Sequence, residues 1–289
     1  MAGTDAWMTR WAAADAARCL RRPTAADDKY SRGVVGLRTG SDAYPGAAVL
    51  GVQAAWRTGV GMVRYLGPAG ATALVLARRP ETVTADGRVQ AWVIGSGTDA
   101  AARTAGEAAV LAGILAGDMP VVADAGALDL VIGAAAPLVV TPHAGEHARL
   151  RALLGLGPAA DRAASARSTA AALGAAVLLK GAETVIATPA GWSAVVDAGP
   201  PWLATAGTGD VLAGVLGALV AGRWAQRPGT VEDLGPVAAT AAWLHGRAAV
   251  LAAAQAGHGQ AGGAQIGGPI TALDVADALP RAVAAILAG

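Results

Sequence analysis

Seven short stretches of the chain are apolar at almost every position: 33–37, 62–66, 92–94, 120–122, 138–140, 177–179 and 184–187. They do not alternate apolar with polar residues, as a strand with one wet face does, so they read as strands covered on both faces. Between them run Ala-rich segments of helical length, over 47–57, 100–115, 146–154 and 161–173. Alternating strands and helices predict an α/β fold around a mainly parallel sheet. From 211 the pattern turns helical, over 211–219, 231–254 and 270–287, with a flexible glycine-rich loop at 257–269. With no internal repeat and no long linker, residues 1–289 are expected to form one domain.

Open parallel sheets bind ligands at the carboxyl ends of their strands. The segments leaving the expected strands are R-T-G-S-D-A-Y-P-G-A-A after Leu37, G-S-G-T-D after Ile94, A-D-A-G-A-L-D-L after Val122, T-P-H-A-G-E-H-A-R-L after Val140 and K-G-A-E-T after Leu179. Each is small, glycine-bearing or polar. Together they describe a long crevice suited to an extended polar ligand.

Composition narrows the class. Charged residues make up 15% of the 289 and hydrophobic ones 54%, against about 25% charged in typical domains. This is the balance of a well-buried globular chain. A formal net charge of +1 gives no case for nucleic acid or a membrane surface as partner. The single cysteine, Cys19, excludes an internal disulfide and a multi-cysteine metal site, and a cytoplasmic protein is the simple reading. Asp5, Arg10 and Asp15 interrupt the early apolar stretch, so no secretory signal is expected. No segment is expected to be a membrane helix.

Several motifs carry candidate chemistry. The run 211–222 is too short to span a bilayer and reads as a buried helix entered through Gly207, Thr208 and Gly209. Such a turn offers backbone N–H groups at the positive end of a helix dipole, an anion site. Asp210 is then either an N-cap or a working carboxylate. Lys180, directly after a buried strand, is either aimed at a phosphate or solvated in a hairpin turn. Thr141 and Pro142 read as a cap and a first helical residue. His143, Glu146 and His147 match the H-x-x-E-H zinc pattern, but Gly145 weakens that helix and no third ligand is identifiable. His143 is otherwise a helix-start residue or a ligand contact at a strand end. Asp124 either caps the next helix or helps position a phosphate-bound Mg²⁺. His245 reads as a packing histidine and Cys19 as an incidental thiol. The Gly–Ser turn in 39–50 is either a plain connection or a close approach to ligand, and no G-x-x-x-x-G-K-[ST] loop occurs anywhere.

Taken together, 29–68, V-V-A-D-A-G-A-L-D-L, V-V-T-P-H-A-G-E-H-A-R-L, V-L-L-K-G-A-E-T-V-I-A-T-P-A-G-W and L-A-T-A-G-T-G-D-V-L-A-G-V-L-G-A-L-V-A-G resemble the ADP-dependent NAD(P)H-hydrate dehydratases of the ribokinase-like superfamily. The resemblance covers about residues 15–287. It implies a three-layer α/β/α sandwich and a repair lyase that returns (S)-NAD(P)H hydrate to NAD(P)H. ADP, or ATP, would be the co-substrate, with Mg²⁺. Matched by position, Ala47, Gly97, His143 and Asp210 would contact the hydrate, with Asp210 as catalytic base. Lys180, Gly181, Ala182, Glu183, Thr184 and Gly209 would contact the adenine nucleotide, and no protein metal ligand is assigned. A homotetramer is the family-level expectation. The chain departs from the family at G-S-G-T-D (for G-P-G-L-G), at Gly126 (for the second acid of D-A-D) and at G-P-P-W-L (for a G-N-P-G run). About 30 residues before Arg32 are too few for the epimerase domain many relatives carry, so no epimerase domain is expected. The runner-up is a ribokinase-like small-molecule kinase such as a hydroxyethylthiazole kinase, which the T-P-H-x-x-E and K-G-x-x-T elements disfavour. An inactive nucleotide sensor is a third reading.

Overall fold

The computed structural model describes residues 8–257 and 267–288. Most of the glycine-rich loop expected at 257–269 lies outside the described residues, as do residues 1–7, on which part of the reading of the N-terminus rests. In chain order the elements are β1 (Thr9–Arg10), α1 (Ala13–Cys19), β2 (Val34–Arg38), α2 (Pro45–Thr58), β3 (Met62–Tyr65), α3 (Ala69–Arg78), β4 (Ala91–Ile94), α4 (Ala105–Leu115), β5 (Val121–Ala123), β6 (Leu138–Val140), α5 (Ala144–Leu153), α6 (Arg162–Leu173), β7 (Ala176–Leu179), β8 (Glu183–Ala187), β9 (Ser193–Asp197), α7 (Thr208–Gln226), α8 (Leu234–Ala256) and α9 (Ala272–Ala288).

Among the described residues nine strands join one sheet in the order β1-β9-β8-β7-β6-β5-β4-β2-β3. Every pairing from β3 across to β7 is parallel, and β8 runs antiparallel to both of its neighbours. The expected α/β class with a mainly parallel sheet is what forms. One apolar layer packs α2, α7, α8 and α9 on one sheet face through Val35, Leu37, Val93, Val122 and Leu178. The other face carries Ile94, Val121, Val140, Val177 and Leu179 against residues of α4, α5 and α6. Consecutive strand residues thus bury on opposite faces, which is why their sequences run apolar without alternation.

Some elements differ from the sequence reading. β1, α1, α3 and β9 were not expected. The two-residue β1 has both residues exposed, too short to leave a hydropathy signal. The expected helix over 100–115 is broken, because Thr104 starts a new helix by accepting from the Glu107 backbone N–H at 3.1 Å. The strand expected at 120–122 forms over Val121–Ala123. The cap assigned to Thr141 belongs to His143, and the helix expected over 211–219 begins at Thr208 and runs to Gln226. The stretch Val231–Ala256 is long and apolar enough to cross a bilayer, against expectation. However, 72% of its most apolar window is buried within the fold, and that packing accounts for its apolarity.

Candidate active site

The sheet order reverses between β2 and β4, the kind of switch point where α/β sheets open a crevice. There the Gly40 N–H donates to the Ser96 carbonyl at 2.7 Å, tying the two strand ends together. Ala47, in the first turn of α2, is buried and faces Gly97. Gly97 has φ +66°, and a Cβ there would lie 2.2 Å from the Ala47 Cβ. Two residues matched separately to the substrate thus form one close contact that admits no larger side chain. Beside them a cavity of about 640 Å³ is lined by Tyr44, Gly97, Thr98, Gly126, Glu146 and Arg149, within the usual size of small-molecule sites.

The ends of β4, β6 and β7 bring three polar side chains onto one carboxylate, Asp124, at the end of β5. Asp124 Oδ1 accepts from Thr141 Oγ1 at 2.7 Å and pairs with Lys180 Nζ at 2.9 Å. Its Oδ2 accepts from Ser96 Oγ at 2.9 Å. Lys180 is therefore anchored, and its side chain is only 21% exposed, which removes the solvated-hairpin reading. Its turn joins β7 to β8, and Arg162 of α6 braces it by donating to the Leu179 and Lys180 carbonyls at 3.3 and 3.1 Å.

Opposite Lys180 lies the start of α7. Gly207 is its N-cap with φ +89°, a backbone that β-carbon-bearing residues adopt only with strain. Gly209 comes next to the lysine: a Cβ there would sit 3.6 Å from Lys180 Nζ. Asp210 is the third residue of α7 and not its cap. Among the described residues nothing donates a hydrogen bond to its carboxylate. Burial pushes its pKa up to about 6, the Asp124 charge adds to the rise, and Lys180 opposes it. His245 of α8 is buried behind this turn, in backbone contact with Thr208, and its desolvation lowers its pKa to about 4.

The remaining expectations divide. His143 is the N-cap of α5: its Nδ1 accepts from the Gly145 and Glu146 N–H groups at 3.0 and 3.3 Å, and Glu146 Oε2 accepts from the His143 N–H at 2.8 Å. Its ring remains 57% exposed on the crevice side of β6. His147 instead turns inward to Thr169 at 2.9 Å. The two imidazoles of the H-x-x-E-H match are committed to different partners and do not converge on one metal position. Among the described residues no group of three or more His, Cys, Asp or Glu side chains is arranged to hold a metal, and the Asp124 side chain bonds Ser96, Thr141 and Lys180 and does not cap the turn that follows. These residues do not form a Mg²⁺ cage. Of the K-G-A-E-T run, Glu183 pairs outward with Arg10 of β1 at 2.8 Å, whereas Thr184 is buried and donates to the Gly181 carbonyl at 3.3 Å. Sequence reasoning missed Ser96, Arg162 and the bonding role of Thr141. Only the positions of Ser96 and Thr141 just after strands hinted at them.

Comparison with known proteins gives a consistent picture. A family model described as NAD(P)H-hydrate dehydratase matches residues 35–265. The chain is 46% identical over 265 residues to the bifunctional NAD(P)H-hydrate repair enzyme Nnr of Mycobacterium leprae, covering 86% of this chain and 51% of that protein. It is 38% identical over 251 residues to the ADP-dependent (S)-NAD(P)H-hydrate dehydratase of Neisseria meningitidis, covering 79% of this chain and 80% of that one. Mycobacterial and corynebacterial relatives are matched over about half their length. Among solved structures, the ADP/ATP-dependent NAD(P)H-hydrate dehydratase of Bacillus subtilis, co-crystallized with ATP/Mg²⁺, superposes with a TM-score of 0.79 at 28% identity, over 96% of this chain and 99% of that one.

Proposed function

The chain belongs to the NAD(P)H-hydrate dehydratase family, and on that premise we propose that it is a repair lyase that dehydrates (S)-NADH or (S)-NADPH hydrate, converting ADP to AMP and phosphate. The observation that carries this reading is Asp210: a carboxylate without a hydrogen-bond donor, its pKa raised to about 6, beside the Gly207–Gly209 turn and facing the Lys180 side. A general base works best with a pKa near the operating pH.

In this reading the nicotinamide-ring hydroxyl attacks the β-phosphorus of ADP and gives its proton to Asp210, and AMP leaves. The ring C–O bond then breaks, a neighbouring ring proton is lost, the double bond re-forms and inorganic phosphate departs. Phosphate is a far better leaving group than hydroxide, which gives the nucleotide its chemical purpose. The Gly207–Gly209 N–H groups and Lys180 stabilise charge on the transferring phosphoryl group. Ala47, Gly97 and His143 contact the hydrate; Lys180 through Thr184 and Gly209 contact the nucleotide, with Glu183 contributing its backbone because its side chain turns to Arg10. Mg²⁺, brought with the nucleotide, would supply positive charge to the transferring phosphoryl group, alongside Lys180 and the Gly207–Gly209 N–H groups. The single sheet supports treating the span as one dehydratase domain. We also propose a cytoplasmic homotetramer, in keeping with a substrate drawn from the NAD(P)H pool. The family match disfavours the small-molecule kinase reading.

Absorbance at 340 nm tests this. Purified protein with NADH hydrate, Mg²⁺ and ADP is expected to give a nucleotide-dependent rise, and ATP in parallel ranks the two nucleotides. ADP binding with no rise overturns the reading in favour of a kinase or an inactive sensor.

A further inference from the structure

Asp124 has no step in the reaction above, yet four adjacent strands converge on it. It sits at the end of β5, and its donors Ser96, Thr141 and Lys180 come from just beyond β4, β6 and β7. Its side chain is 4% exposed. A buried carboxylate is costly unless it is hydrogen-bonded, and both oxygens of Asp124 accept, Oδ1 from Thr141 and Lys180 and Oδ2 from Ser96. Its one cationic partner is Lys180, the side chain that reaches Gly209.

We propose that Asp124 is the positioning residue of this site, fixing the Lys180 ammonium against Gly209 at the nucleotide turn and setting the charge felt by Asp210. Ser96 and Thr141 hold the carboxylate from two sides, so the ammonium that pairs with it is held in register with the first turn of α7. Glu146 of α5, 3.9 Å from Lys180, supplies a looser second acid that steers the ammonium without competing for it. The charged and titratable groups around Asp210 are Asp124 at β5, Lys180 beyond β7, and, around Lys180, Glu146 of α5 and His245 of α8. Of these, Asp124 alone raises the Asp210 pKa and Lys180 alone lowers it.

The inference rests on the proposed nucleotide role of Lys180, so its main readout is ADP binding without turnover. Dissociation constants for ADP are measured by calorimetry on wild type, Asp124→Asn, Lys180→Gln and the double variant. Asp124→Asn is expected to weaken ADP binding on the order of 10- to 100-fold, the scale of a displaced positioning group. In the Lys180→Gln background the same change is expected to alter affinity by less than about twofold, because Asp124 acts through the lysine. Removing a negative charge and freeing a positive one both lower the Asp210 pKa, so the acid limb of the kcat/KM profile is expected to move to lower pH. A residue that only supports the fold would lower Tm, weaken ADP binding equally in both backgrounds and leave the limb unmoved; that result overturns the proposal. If Asp124→Asn leaves its lysine unpaired and fails to fold, the double variant decides: affinity equal to Lys180→Gln supports the proposal, and a further loss overturns it. Wild-type protein that binds ADP but restores no NADH defeats the dehydratase reading and leaves this test standing. Wild-type protein that binds no ADP defeats this inference as well.

Discussion

Replacing Asp210 with Asn is expected to stabilise the fold while removing the activity. The side chain keeps its shape and loses its charge. In the folded protein its pKa is about 6, against an ordinary 3.8, with burial the main cause and the Asp124 charge the second. The folded state therefore holds the proton more tightly than the unfolded chain does. Below about pH 3.8 both states are protonated and the charge has no effect on stability; through the window from 3.8 to 6 the unfolded chain ionises while the folded state keeps its proton, so the wild type progressively loses stability, and above 6 the folded state holds an ionised, desolvated carboxylate. At about 1.4 kcal/mol per pKa unit, the full effect above pH 6 is on the order of 3 kcal/mol. For a chain of this length that corresponds to a Tm rise of roughly 5 °C in the variant. Scanning calorimetry on both proteins from pH 4 to 8 reads it, and the gap between their Tm values is expected to open with rising pH and level off above about 6. The 340 nm assay on the same samples is expected to show a loss on the order of 10²- to 10⁴-fold, the usual contribution of a positioned base. A variant no more stable than wild type at pH 8, with a pH-independent gap, would refute the claim that Asp210 is held ionised at a cost. Near-normal turnover would refute its role as base.

Other expectations follow from the same geometry. The kcat/KM profile of the wild type is expected to rise with pH through an acid limb near 6, the Asp210 value; a limb near the ordinary carboxylate range instead would mean the carboxylate is solvated. At Gly207, with φ +89°, a Cβ would meet Leu50 Cδ1 at 2.6 Å, so Gly207→Ala should cost about 1–3 kcal/mol of stability and lower kcat by displacing the first turn of α7, readable by calorimetry and steady-state kinetics; a silent substitution would mean that turn is pliable. His147 and His245 both have pKa values lowered to about 4, mainly by burial. Their neutral state contributes stability that is complete above about 6.5 and is lost as pH falls toward 4, so His147→Gln should flatten the acid side of the Tm profile, and an unchanged slope would count against that cause.

Much of the scaffold was legible in the chain. The unalternating runs at 33–37, 62–66, 92–94, 138–140, 177–179 and 184–187 mark strands because a strand covered on both faces has no polar side to display. The glycine-bearing segments after them mark the crevice, because backbone must approach ligand there. The G-T-G-D turn before a buried helix was legible for the same reason. These are local features, set by side-chain size, φ preference and hydropathy period. Tertiary structure alone decided the rest. It made β1 a strand, since two exposed residues form one only when β9 offers an edge. It gave the α5 cap to His143 and turned His147 away, separating two imidazoles that spacing had paired. It brought Ala47 against Gly97, 50 positions apart in the chain, and drew Ser96, Thr141 and Lys180 onto Asp124. Each of those outcomes depends on which strands become neighbours, and no short window of sequence carries that information. The charge state of Asp210 belongs to the same class: its residue type was plain from the start, but its raised pKa exists only where folding has removed water and brought Asp124 near.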